Sequence, residues 1–199
     1  MAVQPEFRID LDKVEDASSR AHGLDFPQTR ISSGIEAVLG AIGGAISWLW
    51  VILVLIIVAN VSMRYLLGVN YIWLEEVQWH IYAVGFMIGI GYAILHDAHV
   101  RVDVVASMLR PRTRGFIEFF GMIFLIGPLV YLMISYAIPF VEASWNRNET
   151  SSAPGGLTNR WAIKSVIIIA FIYMGLATFA RLLRVGAYLF GSQNSKSSG

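Results

Sequence analysis

The chain has 199 residues, of which 56% are hydrophobic and only 15% charged, against about 25% charged in soluble domains. Its formal net charge is +1 and it holds no cysteine, which excludes a basic field for nucleic acid, a disulfide framework and thiolate chemistry. So few charges cannot cover a soluble surface when the apolar residues lie in long runs, and here they do.

In chain order, residues 1–34 come first: Arg8, Lys13, Arg20 and Arg30 are outnumbered by Glu6, Asp10, Asp12, Glu15, Asp16 and Asp25. This reads as a flexible acidic tail, unlike a signal or transit peptide, both of which are basic. Four uncharged stretches follow. They hold 27 residues between Glu36 and Arg64, 20 between Glu76 and Asp97, 23 between Glu118 and Glu142, and 16 between Lys164 and Arg181. About 20 residues at about 1.5 Å each cross the hydrocarbon of a bilayer. The pattern therefore predicts an all-α integral membrane protein with transmembrane helices over about 37–63, 77–96, 117–140 and 162–184, within a membrane domain of 35–190. The fourth run is short, and Arg181 and Arg184 are expected to lengthen it by snorkelling to the interface. Pro128 and Pro139 predict a kink or an early end in the third. Between the second and third spans, Val104, Val105, Met108 and Leu109 recur at helical spacing behind Asp103 until Pro111, a short surface helix. Residues 191–199 are polar and Gly/Ser-rich, a disordered tail.

Lysine and arginine counts give the orientation. Eleven lie in the N-terminal tail, the 97–116 loop and the C-terminal end, against four (Arg64, Arg147, Arg160, Lys164) on the opposite side. Both termini are thus expected in the cytoplasm, with the surface helix on the inner face of the membrane. Trp73, Trp79, Trp145 and Trp161 then mark the outer interface, where amphipathic rings prefer to sit.

Little in the chain suggests cofactor chemistry. Haem ligation needs histidines on facing helices, yet the four histidines are His22 in the tail and His80, His96 and His99 on the second span or its exit. His96 and His99 with Asp97 and Asp103 offer metal-ligand types, but polar residues ending a helix are the reading favoured here. No phosphate-loop sequence occurs. No ionisable residue lies mid-span, where an ion or proton pathway would need one. Packing features take their place: Gly40 with Gly44, and Gly85 with Gly89, are small-residue spacings that let helices approach.

Two polar clusters remain. Glu75 and Glu76 follow Trp73 at the start of the second span, where acids suit a helix N-terminus or could dock a partner's cations. His99, Arg101 and Asp103 form a cytoplasmic cluster that would anchor the surface helix.

Taken in order, Trp73-x-Glu75-Glu76, Gly89-x-Gly91-Tyr92-Ala93, His99-Val-Arg-Val-Asp103 and Arg110-Pro111 resemble the small, DctQ-type membrane subunit of tripartite ATP-independent periplasmic (TRAP) transporters. The outer loop from Ser144-Trp145 through Glu149-Thr-Ser, Pro154-Gly-Gly-Leu157 and Arg160-Trp161 to Lys164 extends the resemblance. It implies a non-enzymatic, cofactor-free subunit of the bacterial inner membrane. Its implied partners are a large DctM-type membrane subunit, a periplasmic substrate-binding protein and the surrounding lipid. Together these would take up a small organic acid with sodium, the small subunit scaffolding the large one and helping to dock the binding protein. The candidate partner interface is Trp73, Glu75, Glu76, Trp145, Glu149 and Arg160. The competing reading is a free-standing tetraspan assembly factor or redox anchor. A redox anchor would need ligands on two helices, which the sequence lacks.

Overall fold

The computed structural model of the chain describes residues 27–96 and 110–190; among these it is all-helical, with four spans long and apolar enough to cross a membrane. The expected surface helix, with His99, Arg101 and Asp103, lies outside the described residues, as do most of the acidic tail and residues 191–199.

Helix α1 (Arg30–Leu67) begins ahead of its apolar run because Thr29 builds a capping box: its hydroxyl accepts from the Ser32 N–H, and the Ser32 hydroxyl oxygen accepts from the Thr29 N–H, both at 3.1 Å. With 38 residues it is about 57 Å long, well beyond the roughly 30 Å of a hydrocarbon core. Gly68 ends it in the left-handed region (φ 66°), which a side chain would resist, and its N–H returns to the Met63 carbonyl. The short turn leads directly into α2 (Ile72–Leu95), so the two pack as an antiparallel hairpin.

The third span is one continuous helical stretch in three parts: α3 (Pro111–Gly121), a π-helical turn over Met122–Ile126, and α4 (Gly127–Asn146). Neither proline ends it. The wide turn falls just before Pro128, and the Gly127 N–H reaches back five residues to the Met122 carbonyl. Pro128 has no N–H and its ring crowds the carbonyl four residues earlier, so an extra residue in the preceding turn relieves the conflict. Helix α5 (Arg160–Phe190) is 31 residues long and runs straight on through Arg181 and Arg184, past the 16-residue uncharged run.

α5 is the centre of the packing. It touches α1, α2, α3 and α4, whereas the third span leans chiefly on α5 alone. The main core joins Leu39 of α1, Ile88 and Ile94 of α2, and Ala170, Tyr173, Met174 and Ala177 of α5. A smaller cluster around Met122 and Val185 secures the third span.

Two tyrosine rings set the helix spacing. The Tyr173 ring lies over Gly91, where an added Cβ would come within 2.4 Å of it, and the Tyr173 hydroxyl donates to the Leu39 carbonyl at 2.8 Å. The Tyr92 ring lies over Gly43, where a Cβ would sit 2.0 Å away. Of the four glycines expected at contacts, Gly85 faces the Trp50 indole at 3.2 Å and Gly40 only brushes Leu95 at 4.0 Å. Gly44 and Gly89 have nothing within 4 Å. The closest approaches thus sit one position before Gly44 and two after Gly89, since the rings determine which face is crowded.

Gly91→Ala should therefore push α2 from α5 and cost about 1–3 kcal/mol as overpacking, while Gly89→Ala should be neutral. Tyr173→Phe, which removes one interhelical hydrogen bond, should cost about 0.6–1.7 kcal/mol. Denaturation of the purified protein in mild detergent measures all three, and equal effects of Gly91→Ala and Gly89→Ala would contradict this packing.

Candidate functional site

The polar residues gather at the two ends of the bundle. One end, called here the hairpin end, carries the α1–α2 turn and the 147–159 loop between α4 and α5. The other carries the entry to α1, the start of the third span and the end of α5.

At the hairpin end the 147–159 loop is folded tightly back on the bundle. Asn148 (φ 47°), Gly155 (φ 76°) and Asn159 (φ 60°) supply the left-handed turns, conformations that asparagine and glycine tolerate best. The Ser151 N–H donates to the Leu157 carbonyl at 2.9 Å, and the Arg160 N–H to the Glu149 carbonyl at 3.1 Å, closing the loop on itself. Two acids then fasten it. Glu76, in the first turns of α2, accepts the Leu157 N–H at 2.6 Å on one carboxylate oxygen and the Ser151 hydroxyl on the other. Glu149 pairs with Lys164 of α5 at 2.5 Å, and the Lys164 ammonium also sits 4.1 Å over the Phe140 ring of α4. The Lys164 hydrogen bond holds the Glu149 carboxyl below the usual carboxylate range.

The structure thus brings Glu76, Glu149 and the Arg160 backbone together on one loop, and engages both Glu76 oxygens within the chain. Trp145 meets Trp161 edge-to-face at 4.5 Å, tying α4 to α5 beside it. Trp73 stands apart: it leans on Tyr71 at 6.2 Å and remains exposed. The Glu75 side chain makes no hydrogen bond or ion pair among the described residues. Glu75 and Trp73 therefore form the open part of the candidate interface, and Glu76 its internal brace. Ser151 and Leu157 lay within the loop motif, but sequence reasoning missed that both donate to Glu76, since a pairing across about 80 residues leaves no signal in residue type.

At the opposite end, Arg181 pairs with Glu118 of α3, and Arg184 with Glu36 of α1 at 3.3 Å. Besides the reach to the membrane interface expected of them, each arginine binds a carboxylate on a neighbouring helix. A signal for this existed. Arg181 and Arg184 sit three residues apart on one helix, and Glu36 and Glu118 are the acids that bound two of the apolar runs.

Residues 53–186 match the family model described as tripartite ATP-independent periplasmic transporters, DctQ component. The chain belongs to the DctQ family. It is therefore a component of a transporter and not an enzyme, in a multi-pass membrane protein whose spans are those described above. A curated relative, the sialic acid TRAP transporter permease protein SiaT of Haemophilus influenzae (strain 86-028NP), is 26% identical over 120 residues. That stretch covers 60% of this DctQ chain but 19% of SiaT, so this chain corresponds to only a small part of that permease.

Glu76→Ala should leave the Leu157 N–H and Ser151 hydroxyl without their acceptor and loosen the loop. Hydrogen exchange at the Leu157 amide should accelerate accordingly while the α2–α5 core stays protected. The Glu149–Lys164 brace carries a sign for pH. A carboxyl lowered on folding stabilises fully above its unfolded pKa of about 4.3, and the contribution is lost as pH falls through the lower folded value. Loop protection should therefore hold from neutral pH down to about 5 and fail only in stronger acid; Glu149→Gln should remove the Glu149 share of that acid dependence and leave the share due to the Glu76 brace.

Proposed function

We propose that this chain is the small membrane subunit of a TRAP transporter, holding the large transport subunit in place and helping to dock a soluble binding protein during sodium-coupled uptake of a small organic acid. The family match over 53–186 carries the reading. Two features support it. The spans hold no ionisable group at mid-membrane, as expected of a subunit that does not itself carry ions. In SiaT, most of the permease lies outside the stretch that resembles this chain, which suits a division between a small attendant part and a larger transport part.

In this reading the termini are cytoplasmic in a bacterial inner membrane, following the arginine and lysine asymmetry. The hairpin end then faces the periplasm. Trp73 and Glu75 would contact the binding protein, with Trp145, Glu149 and Arg160 forming the braced rim around them. Glu76 would act indirectly, by holding the loop in shape.

The chain has no cysteine, so single cysteines report cleanly on sidedness. In intact cells an impermeant thiol reagent should label a cysteine at Ser152 but not one at Ser107 or Ser195; the reverse pattern would invert the topology. Deleting the chain should abolish uptake while the binding protein keeps its substrate affinity. Glu75→Lys should slow uptake at unchanged membrane abundance, mainly through encounter rate and more strongly at low salt, as for a rim charge. A change in substrate selectivity with the complex intact would put this subunit in the transport path and refute the scaffold role.

A further inference from the structure

The third span presents an outward stripe that lipid cannot satisfy. Pro128 and Pro139 are eleven residues apart, three helical turns, so they share one face of α4, and Tyr131 and Ser135 lie between them on it. All four are exposed, Tyr131 at 71%, because the third span leans chiefly on α5 and turns this face away. Proline has no N–H, so the carbonyls of Phe124 and Ser135 lack their i+4 amide donors along the same stripe. The Ser135 hydroxyl is already given to the Tyr131 carbonyl at 2.8 Å. Tyr131 itself stands next to the midpoint of the uncharged run between Glu118 and Glu142, and its hydroxyl makes no hydrogen bond among the described residues. In hydrocarbon, no solvent replaces a missing donor or acceptor, and irregular helix is tolerated where protein or water covers it. The π-helical turn at Met122–Ile126 opens the same span just before Pro128.

We infer that the Pro128–Tyr131–Ser135–Pro139 face of α4 is the seat of the large membrane subunit, occupied by a transmembrane helix whose hydroxyl or amide side chains donate to these carbonyls and accept from Tyr131. Ser135 and the flat proline rings let such a helix come close, as small residues do at membrane helix contacts. The identity of the occupant rests on the transporter reading above, and on SiaT, where the stretch like this chain is continuous with a far longer polypeptide. The outward face of α1 offers less. Trp48, 69% exposed there, carries a single donor, and the neighbouring Ser47 hydroxyl is bonded to the Gly43 carbonyl.

The test uses the chain expressed with its native neighbours in the membrane. A photo-reactive benzoylphenylalanine replacing Tyr131 should crosslink to the large subunit, whereas the same group replacing Trp48 should not. Separately, Tyr131→Phe should weaken the purified complex by roughly threefold to twentyfold, the range for one interhelical hydrogen bond, with no change in the melting of the isolated chain. A crosslink from position 131 to lipid or to a second copy of this chain overturns the inference, as does one to the large subunit from position 48 alone. If no large membrane protein co-purifies with the unmodified chain, the transporter reading itself fails, a result distinct from a misassigned face.

Discussion

The fold turns on one side chain, Tyr173. Its ring fills the space left by Gly91 on α2, and its hydroxyl reaches the Leu39 carbonyl of α1 at 2.8 Å, so a single residue of α5 fixes two neighbours. In a bilayer, lipid tails are as apolar as leucine, and helices are held by close fit and by polar contacts rather than by exclusion of water. Tyr173 supplies both at once. Tyr92 over Gly43 repeats the ring-on-glycine arrangement between α1 and α2. With these three helices locked, the third span has only α5 to lean on, and that asymmetry leaves its outer face bare.

The polar ends depend on that packing. Once α5 is central, Arg181 and Arg184 come within reach of carboxylates on α3 and α1, and the pairs continue the packing around Leu39 and Tyr173 to that end of the bundle. At the hairpin end the same centring brings the 147–159 loop against the start of α2, where Glu76 takes a backbone and a hydroxyl donor. Removing either partner of such a part-buried pair would leave a charge or donor without compensation, which costs more than the pair itself contributes. The braces therefore serve geometry. They fix the 147–159 loop against the start of α2, beside Trp73 and Glu75.

Much of the candidate site was legible in advance, though not its roles. Trp73, Glu75, Glu76, Trp145, Glu149 and Arg160 all lie at the hairpin end, because helix ends concentrate both aromatic belts and charges. Their division into open and braced residues was not readable. Glu75 and Glu76 are adjacent and chemically alike, and only the approach of the Leu157 N–H distinguishes them. The glycines tell a similar story. Spacing singled out Gly40, Gly44, Gly85 and Gly89, yet the tight contacts fall at Gly43 and Gly91, because a motif records small residues and not which of them meets a ring.

The sequence by itself determined that this chain is all-helical with four spans, since uncharged runs this long, too long for barrel strands, satisfy their own backbone in a bilayer only as helices. It also carried the family, through an ordered set of short motifs spread over those spans. Only the tertiary structure decided that α5 is the hub, that the third span passes through both prolines by widening a turn, and that one of two neighbouring acids is an internal brace. These depend on rotations of helices about their own axes. Hydrophobicity that is nearly uniform around each helix leaves such rotations unspecified, and they are set instead by where a few rings, glycines and carbonyls fit.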